Sequence, residues 1–142
     1  MTVKQISSQI DSIEDYYSYV QGSGNLLKAE HAIHWSNGTL QMLGVNLSGR
    51  VKKALKNALP ESLSYQLGRV FWVAYFRNEN MAARDFCTRV ARRSRASSDP
   101  DFAAYPVQAV FGGLKSLIDD DDLSEKIRDD LSPELSKMWE DA

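Results

Sequence analysis

The chain has 142 residues, 43% hydrophobic, 25% charged and 10% aromatic, enough for one domain or for two halves sharing a core, and not the composition of a disordered chain. At this length a fold buries roughly two-thirds of the surface its unfolded chain exposes, so neither disulfides nor a metal is needed for stability. The formal charge of −2 hides an asymmetry: residues 1–98 carry 13 bases and 7 acids, a balance of +6, and residues 99–142 carry 4 bases and 12 acids, a balance of −8.

In chain order, Val3, Ile6, Ile10, Ile13, Tyr17 and Val20 step by three and four, one apolar stripe on a helix that Gly22-Ser23-Gly24 ends. A second helix is expected from about Asn25 to Leu43 on Leu26, Leu27, Ile33, Leu40 and Leu43, with a kink at Asn37-Gly38. Gly44 to Leu47 reads as a turn, Ser48 as an N-cap, and Val51, Leu55 and Leu59 as the next apolar face. Pro60 then opens a helix carrying Leu63, Leu67, Phe71 and Ala74. That helix leads into Val70-Phe71-Trp72-Val73-Ala74-Tyr75-Phe76, seven apolar residues in a row and too many for one face of a surface helix. The run suits either burial between two halves or a protein interface.

Further on, Ala82, Phe86 and Val90, with Ala83 and Cys87, predict a helix. Ser97-Ser98-Asp99-Pro100 breaks it and caps another, which reaches about Ile118 with Phe102, Val107, Val110, Phe111, Leu114 and Leu117. Gly112-Gly113 is that helix's weak point and a place for close packing. Asp119 to Asp122 turn into a helix on Leu123, Ile127 and Leu131, and Ser132-Pro133 starts the last one with Leu135, Met138 and Trp139.

The two descriptions nearly coincide. Leu40 and Leu43 fall 74 residues before Leu114 and Leu117. Val51, Leu55, Leu59, Leu63 and Leu67 fall 72 before Leu123, Ile127, Leu131, Leu135 and Trp139, and Tyr16 and Val20 fall 70 before Phe86 and Val90. A proline follows the matched leucine in both (Leu59-Pro60, Leu131-Ser132-Pro133). The expectation is an all-α helical bundle, one domain over 1–142, of two tandem half-repeats at about 1–76 and 77–142 sharing a core.

The segments Phe86 to Ala91, Ala103-Ala104-Tyr105 to Leu117, and Leu131-Ser132-Pro133-Glu134-Leu135 to Met138-Trp139 resemble the family called domain of unknown function 2267, small bacterial helical proteins with an internal duplication. The first half resembles it through Ala29, Ala32, Leu40, Leu43 and Ala58 to Leu63. Two departures are Leu-Ser-Pro where the second half would show Leu-Pro, and the aromatic linker Val70 to Phe76. The resemblance implies a fold and supplies no site.

The functional candidates are few. Glu30, His31 and His34 place ligand atoms on adjacent turns, but one cluster without a match on another helix favours partly exposed polar residues over a metal site. Asp119 to Asp122 with Glu125 lack the spacing and central glycine of a calcium loop and suit capping. Cys87, the single cysteine, sits among apolar positions as a core thiol, and a lone thiol suits a reducing compartment. No signal peptide or membrane-length apolar stretch is present, and two glycosylation patterns (Asn37-Gly38-Thr39, Asn46-Leu47-Ser48) read as chance, so the cytoplasm is expected. Arg84, Arg89, Arg92, Arg93 and Arg95 crowd the helix over 79–95. They suit phosphates, or a solvated face paired with the acidic segment that follows. No catalytic set appears, and no cofactor or metal is expected. The leading expectation is a non-enzymatic module that binds another protein or itself, through Phe71, Trp72, Tyr75 and Phe76 and through Arg84, Arg92, Arg93 and Arg95. Nucleic-acid binding by the helix over 79–95 is the alternative, with no membrane partner.

Overall fold

The computed structural model describes residue 10 and residues 12–69, 80–94 and 100–142. The protein is all-α: eight helices and no strand among the described residues. They are α1 (Ile13–Ser23), α2 (Ala29–Asn46), α3 (Gly49–Ala58), α4 (Glu61–Leu67), α5 (Ala83–Arg93), α6 (Pro100–Ile118), α7 (Asp121–Asp130) and α8 (Pro133–Asp141). The two long helices, α2 and α6, pack on each other. Helix α1 lies against both, and so does α5, while α3 packs with α4, α7 with α8, and α3 with α7. One hydrophobic cluster draws on all eight helices.

Side chains fix where four of these helices begin. Ser12 Oγ accepts from Asp15 N at 3.1 Å, Asp120 Oδ1 from Leu123 N at 3.1 Å, and Ser132 Oγ from Leu135 N at 3.3 Å, each satisfying a first-turn N–H. Ser48, the expected cap of α3, accepts from Val51 N at 3.5 Å. Helix α5 starts at Ala82, which has no capping side chain. One orphan donor is served from α8 instead, Glu134 Oε1 accepting from Ala83 N at 2.7 Å, and Ser132 Oγ ties the preceding segment of chain by donating to the Met81 carbonyl at 2.7 Å. Likewise Ser48 N donates to Asp130 Oδ2 at 2.6 Å, tying the start of α3 to the end of α7.

The leucine ladder is buried as its register requires. Val51, Leu55, Leu59, Leu63, Leu67, Leu123, Ile127, Leu131, Leu135 and Trp139 are all core residues, as are Tyr16, Val20, Phe86 and Val90. Four sequence expectations need correction. The stripe from Val3 to Val20 is not one helix, because the extended backbone of Ser12 (φ −137°, ψ 166°) starts α1 after Ile10. Leu27 is 89% exposed and Ile33 is exposed as well, their places in the core being taken by Ala32, Trp35 and Met42. Gly44 to Asn46 are helical, not a turn. Helix α4 closes at Gly68, whose N–H bonds back to the Tyr65 carbonyl at 3.2 Å, so no helix from Pro60 leads straight into the aromatic run.

Glycines at two places explain why α2 runs on unbroken. A Cβ at Gly44 would stand 2.1 Å from the Leu67 carbonyl oxygen, so only glycine lets the end of α4 cross there. A Cβ at Gly38 would meet Ser94 Oγ at 2.3 Å and the Val90 carbonyl oxygen at 3.0 Å. The helical cost of Gly38, about 1 kcal/mol against alanine, is offset by seating the last turn of α5 on α2.

Candidate functional site

The contact at Gly38 also builds the most chemically distinctive part of the surface. Phe86, Cys87, Val90 and Ala91 hold α5 to the core, which leaves Arg89, Arg92 and Arg93 exposed along the opposite face. With Asp85 in the first turn and Arg92 and Arg93 in the last, the charges run with the helix dipole. Because Ser94 rests on Gly38, the end of α5 faces His34, Asn37 and Gln41 on α2, and Arg69 joins them from the turn after α4. These residues line a polar cleft of about 340 Å³.

Arg93 is positioned by a relay. Its Nε donates to Gln41 Oε1 at 2.5 Å, and Gln41 Nε2 donates to Gln66 Oε1 at 2.8 Å. Gln41 is buried, so this pair fixes both amides and links α4, α2 and α5. Arg69 stacks its guanidinium over the exposed Tyr65 ring at 5.7 Å. Lys56 Nζ lies beside Gly68, 3.1 Å from where its Cβ would be, so positive charge continues from α3 to Arg69.

Of the sequence candidates, Arg84 pairs with Asp101 at 3.4 Å, both side chains largely exposed, an interaction of at most about 1 kcal/mol. Arg89 and Arg92 have no ion pair or hydrogen bond from their side chains among the described residues, so the anticipated neutralisation by the acidic segment reaches only Arg84. Phe71, Trp72, Tyr75, Phe76 and Arg95 lie outside the described residues. His34 is exposed and lines the cleft; His31 is half-buried; Glu30 is exposed. No group of three or more His, Cys, Asp or Glu able to hold a metal occurs among the described residues. Cys87 is buried, and burial pushes its thiol up to about 11, away from thiolate chemistry. Sequence reasoning missed Arg69, Gln41 and Gln66, whose roles depend on helix pairing; Gly38 was the one local signal.

The acidic segment contrasts with this surface. All four of its bases are engaged: Lys126 with Asp122, Arg128 with Asp129 and Glu125, Lys137 with Asp141, and Lys115 with the Trp139 and Ala142 carbonyls. None of the described helices is long and apolar enough to cross a membrane.

Fold and surface together define an all-α protein with a basic face and an adjoining polar cleft. The family model described as "Uncharacterized conserved protein (DUF2267)" matches residues 14–138, and the chain belongs to that family. No curated protein matches the chain.

Proposed function

We propose that the protein is a non-enzymatic interaction module whose basic face docks an acidic surface of another protein or of a second copy of itself. The observation that carries this reading is the contrast in pairing. Arg89, Arg92, Arg93 and Arg69 have no carboxylate partner among the described residues, while every base of residues 99–142 is engaged. Tyr65 under Arg69 adds an exposed aromatic beside a guanidinium, two residue types enriched at interface hot spots. The excess of acids over bases in residues 99–142 makes a second copy one self-complementary partner.

We read the two halves as copies of one helical unit, and that reading favours placing function here. Helix lengths run 11, 18, 10 and 7 in the first and 11, 19, 10 and 9 in the second, and the matched positions of the leucine ladder are buried in both. Packing accounts for what such halves share, so the basic face belongs to what they do not. The lone buried thiol, suited to a reducing compartment, supports the reading of a cytoplasmic location.

The test is fluorescence anisotropy of a glutamate-rich peptide, with light scattering across protein concentration, at about 20 and 300 mM salt, where screening lengths differ several-fold. Salt-sensitive binding or self-association that R89Q/R92Q weakens is expected. A monomer that binds no acidic peptide at low salt overturns the proposal. Nucleic-acid binding through the same arginines is a second reading, which the negative C-terminal segment opposes. The absence of a gel shift at low salt would end it.

A further inference from the structure

We propose that the cleft between α2 and the end of α5 is a binding site for a phosphate group. Two guanidinium groups from different segments, Arg69 and Arg93, line the same 340 Å³ space. That volume is at the small end of ligand pockets, suited to one phosphorylated small molecule or one phosphorylated side chain. No aspartate or glutamate is among its described lining residues, and neither arginine has a carboxylate partner among the described residues.

Arg93 is held for the task. Gln41 takes its Nε and is itself fixed by Gln66, which leaves the two Nη groups of Arg93 without a partner among the described residues. Asn37 and His34, one turn apart on α2, complete the polar lining. Donors arriving from three segments suit a tetrahedral group with several acceptor oxygens better than a planar carboxylate, which a single arginine fork satisfies. Guanidinium is weakly hydrated, so its transfer from water to phosphate costs less than that of an ammonium group. Arg69 and Arg93 belong to both the cleft and the docking face, whereas Arg89 and Arg92 do not line the cleft, so substitutions at Arg89 and Arg92 separate the two readings.

The experiment is calorimetric titration at constant ionic strength, with inorganic phosphate in one arm and a phosphoserine peptide with its unphosphorylated twin in another. Saturable binding of inorganic phosphate comparable to that of the phosphopeptide identifies a free phosphorylated ligand. A phosphopeptide at least ~10-fold tighter than inorganic phosphate, with no binding of the twin, identifies a phosphate delivered on a protein; a 10-fold step is one decade of Kd. In either case R69Q and R93Q each weaken binding by ~10-fold or more, N37D weakens it by adding charge without changing shape, and R89Q/R92Q leaves it unchanged. No saturable binding by the wild type in either arm overturns the proposal. So does unchanged affinity in a folded R69Q/R93Q variant together with N37D.

Discussion

Helices α2 and α6 occupy matching places and do different things with them. At positions 74 apart, Gln41 on α2 holds Gln66 and Arg93, whereas Lys115 on α6 sends its ammonium to the Trp139 and Ala142 carbonyls at 2.8 and 3.0 Å. It lies over the Trp139 ring at 5.9 Å as well. Asn37 lines the open cleft; Phe111, its counterpart, is buried between Phe86 and Trp139 at centroid distances of 5.9 and 5.4 Å. The same exchange occurs between α1 and α5. Tyr16 and Ser36 share a buried hydrogen bond of 2.6 Å, and Phe86 and Val110 stand at the matching positions with none to make. One side of the molecule has closed over its core and used its charges internally. The other keeps a cleft and leaves its arginines to the solvent.

The comparison can be broken hardest at the glycines. Gly44→Ala drives a Cβ into the Leu67 backbone, and Gly38→Ala into Ser94 and the Val90 carbonyl. Each should cost roughly 1–3 kcal/mol by denaturant unfolding, the range for forced overpacking. Gly112→Ala, matching Gly38, is crowded by the Tyr19 hydroxyl at 2.8 Å, the tip of a 38% exposed side chain, and meets Tyr19 Cε2 and the Ala142 carbonyl carbon at ordinary contact distances of 3.5 and 3.6 Å. Gained helix propensity then brings its net cost within about 0.5 kcal/mol of zero. Equal losses at Gly38 and Gly112 would contradict the asymmetry.

Lys115→Met comes next. It removes a charge from the C-terminal carbonyls of α8 and should lower stability by about 1–2 kcal/mol, read from the thermal midpoint. Tyr16→Phe, which copies Phe86 into the first half, leaves Ser36 Oγ buried and unpaired and should cost about 1–2 kcal/mol. The double variant Y16F/S36A should recover much of that, since removing both partners spares the unpaired-group penalty. A double variant as unstable as the sum of the singles would show that the hydrogen bond itself is not what matters.

The smallest effect is confined to high pH. Cys87 has a thiol raised to about 11 from an ordinary 9.0 by burial, so the folded state favours its protonated form. Its contribution is complete below about 9 and is lost as pH climbs from there through about 11. At pH 8 the native thiol should stay inert to a disulfide reagent that modifies the unfolded chain at once; Tyr16, also raised by burial, adds to the alkaline loss.

What sequence could reveal follows from what it encodes locally. The leucine registers on α3, α4, α7 and α8 were legible because helical period alone decides which side faces the core. Ser48 was legible as a cap, and Ser132-Pro133 as a helix start, because helix starts are settled within three residues. Leu27 misled because apolar character does not say whether a neighbour exists to cover it. Asn37-Gly38 read as a kink because the partner that needs the glycine, Ser94, is 56 residues away in the chain. Arg69, Gln41 and Arg93 meet only through helix pairing, and no local pattern announces that.

The central claim is that the open, arginine-bearing side is the surface that recognises an acidic partner. The most direct measurement is a backbone ¹H–¹⁵N shift map of the full chain titrated with a glutamate-rich peptide at low salt. Shifts concentrated on Arg89 to Ser94, Asn37 to Gln41 and Tyr65 to Arg69, and reversed by salt, are the predicted result. Shifts confined to α7 and α8, or none at any peptide concentration, would contradict it.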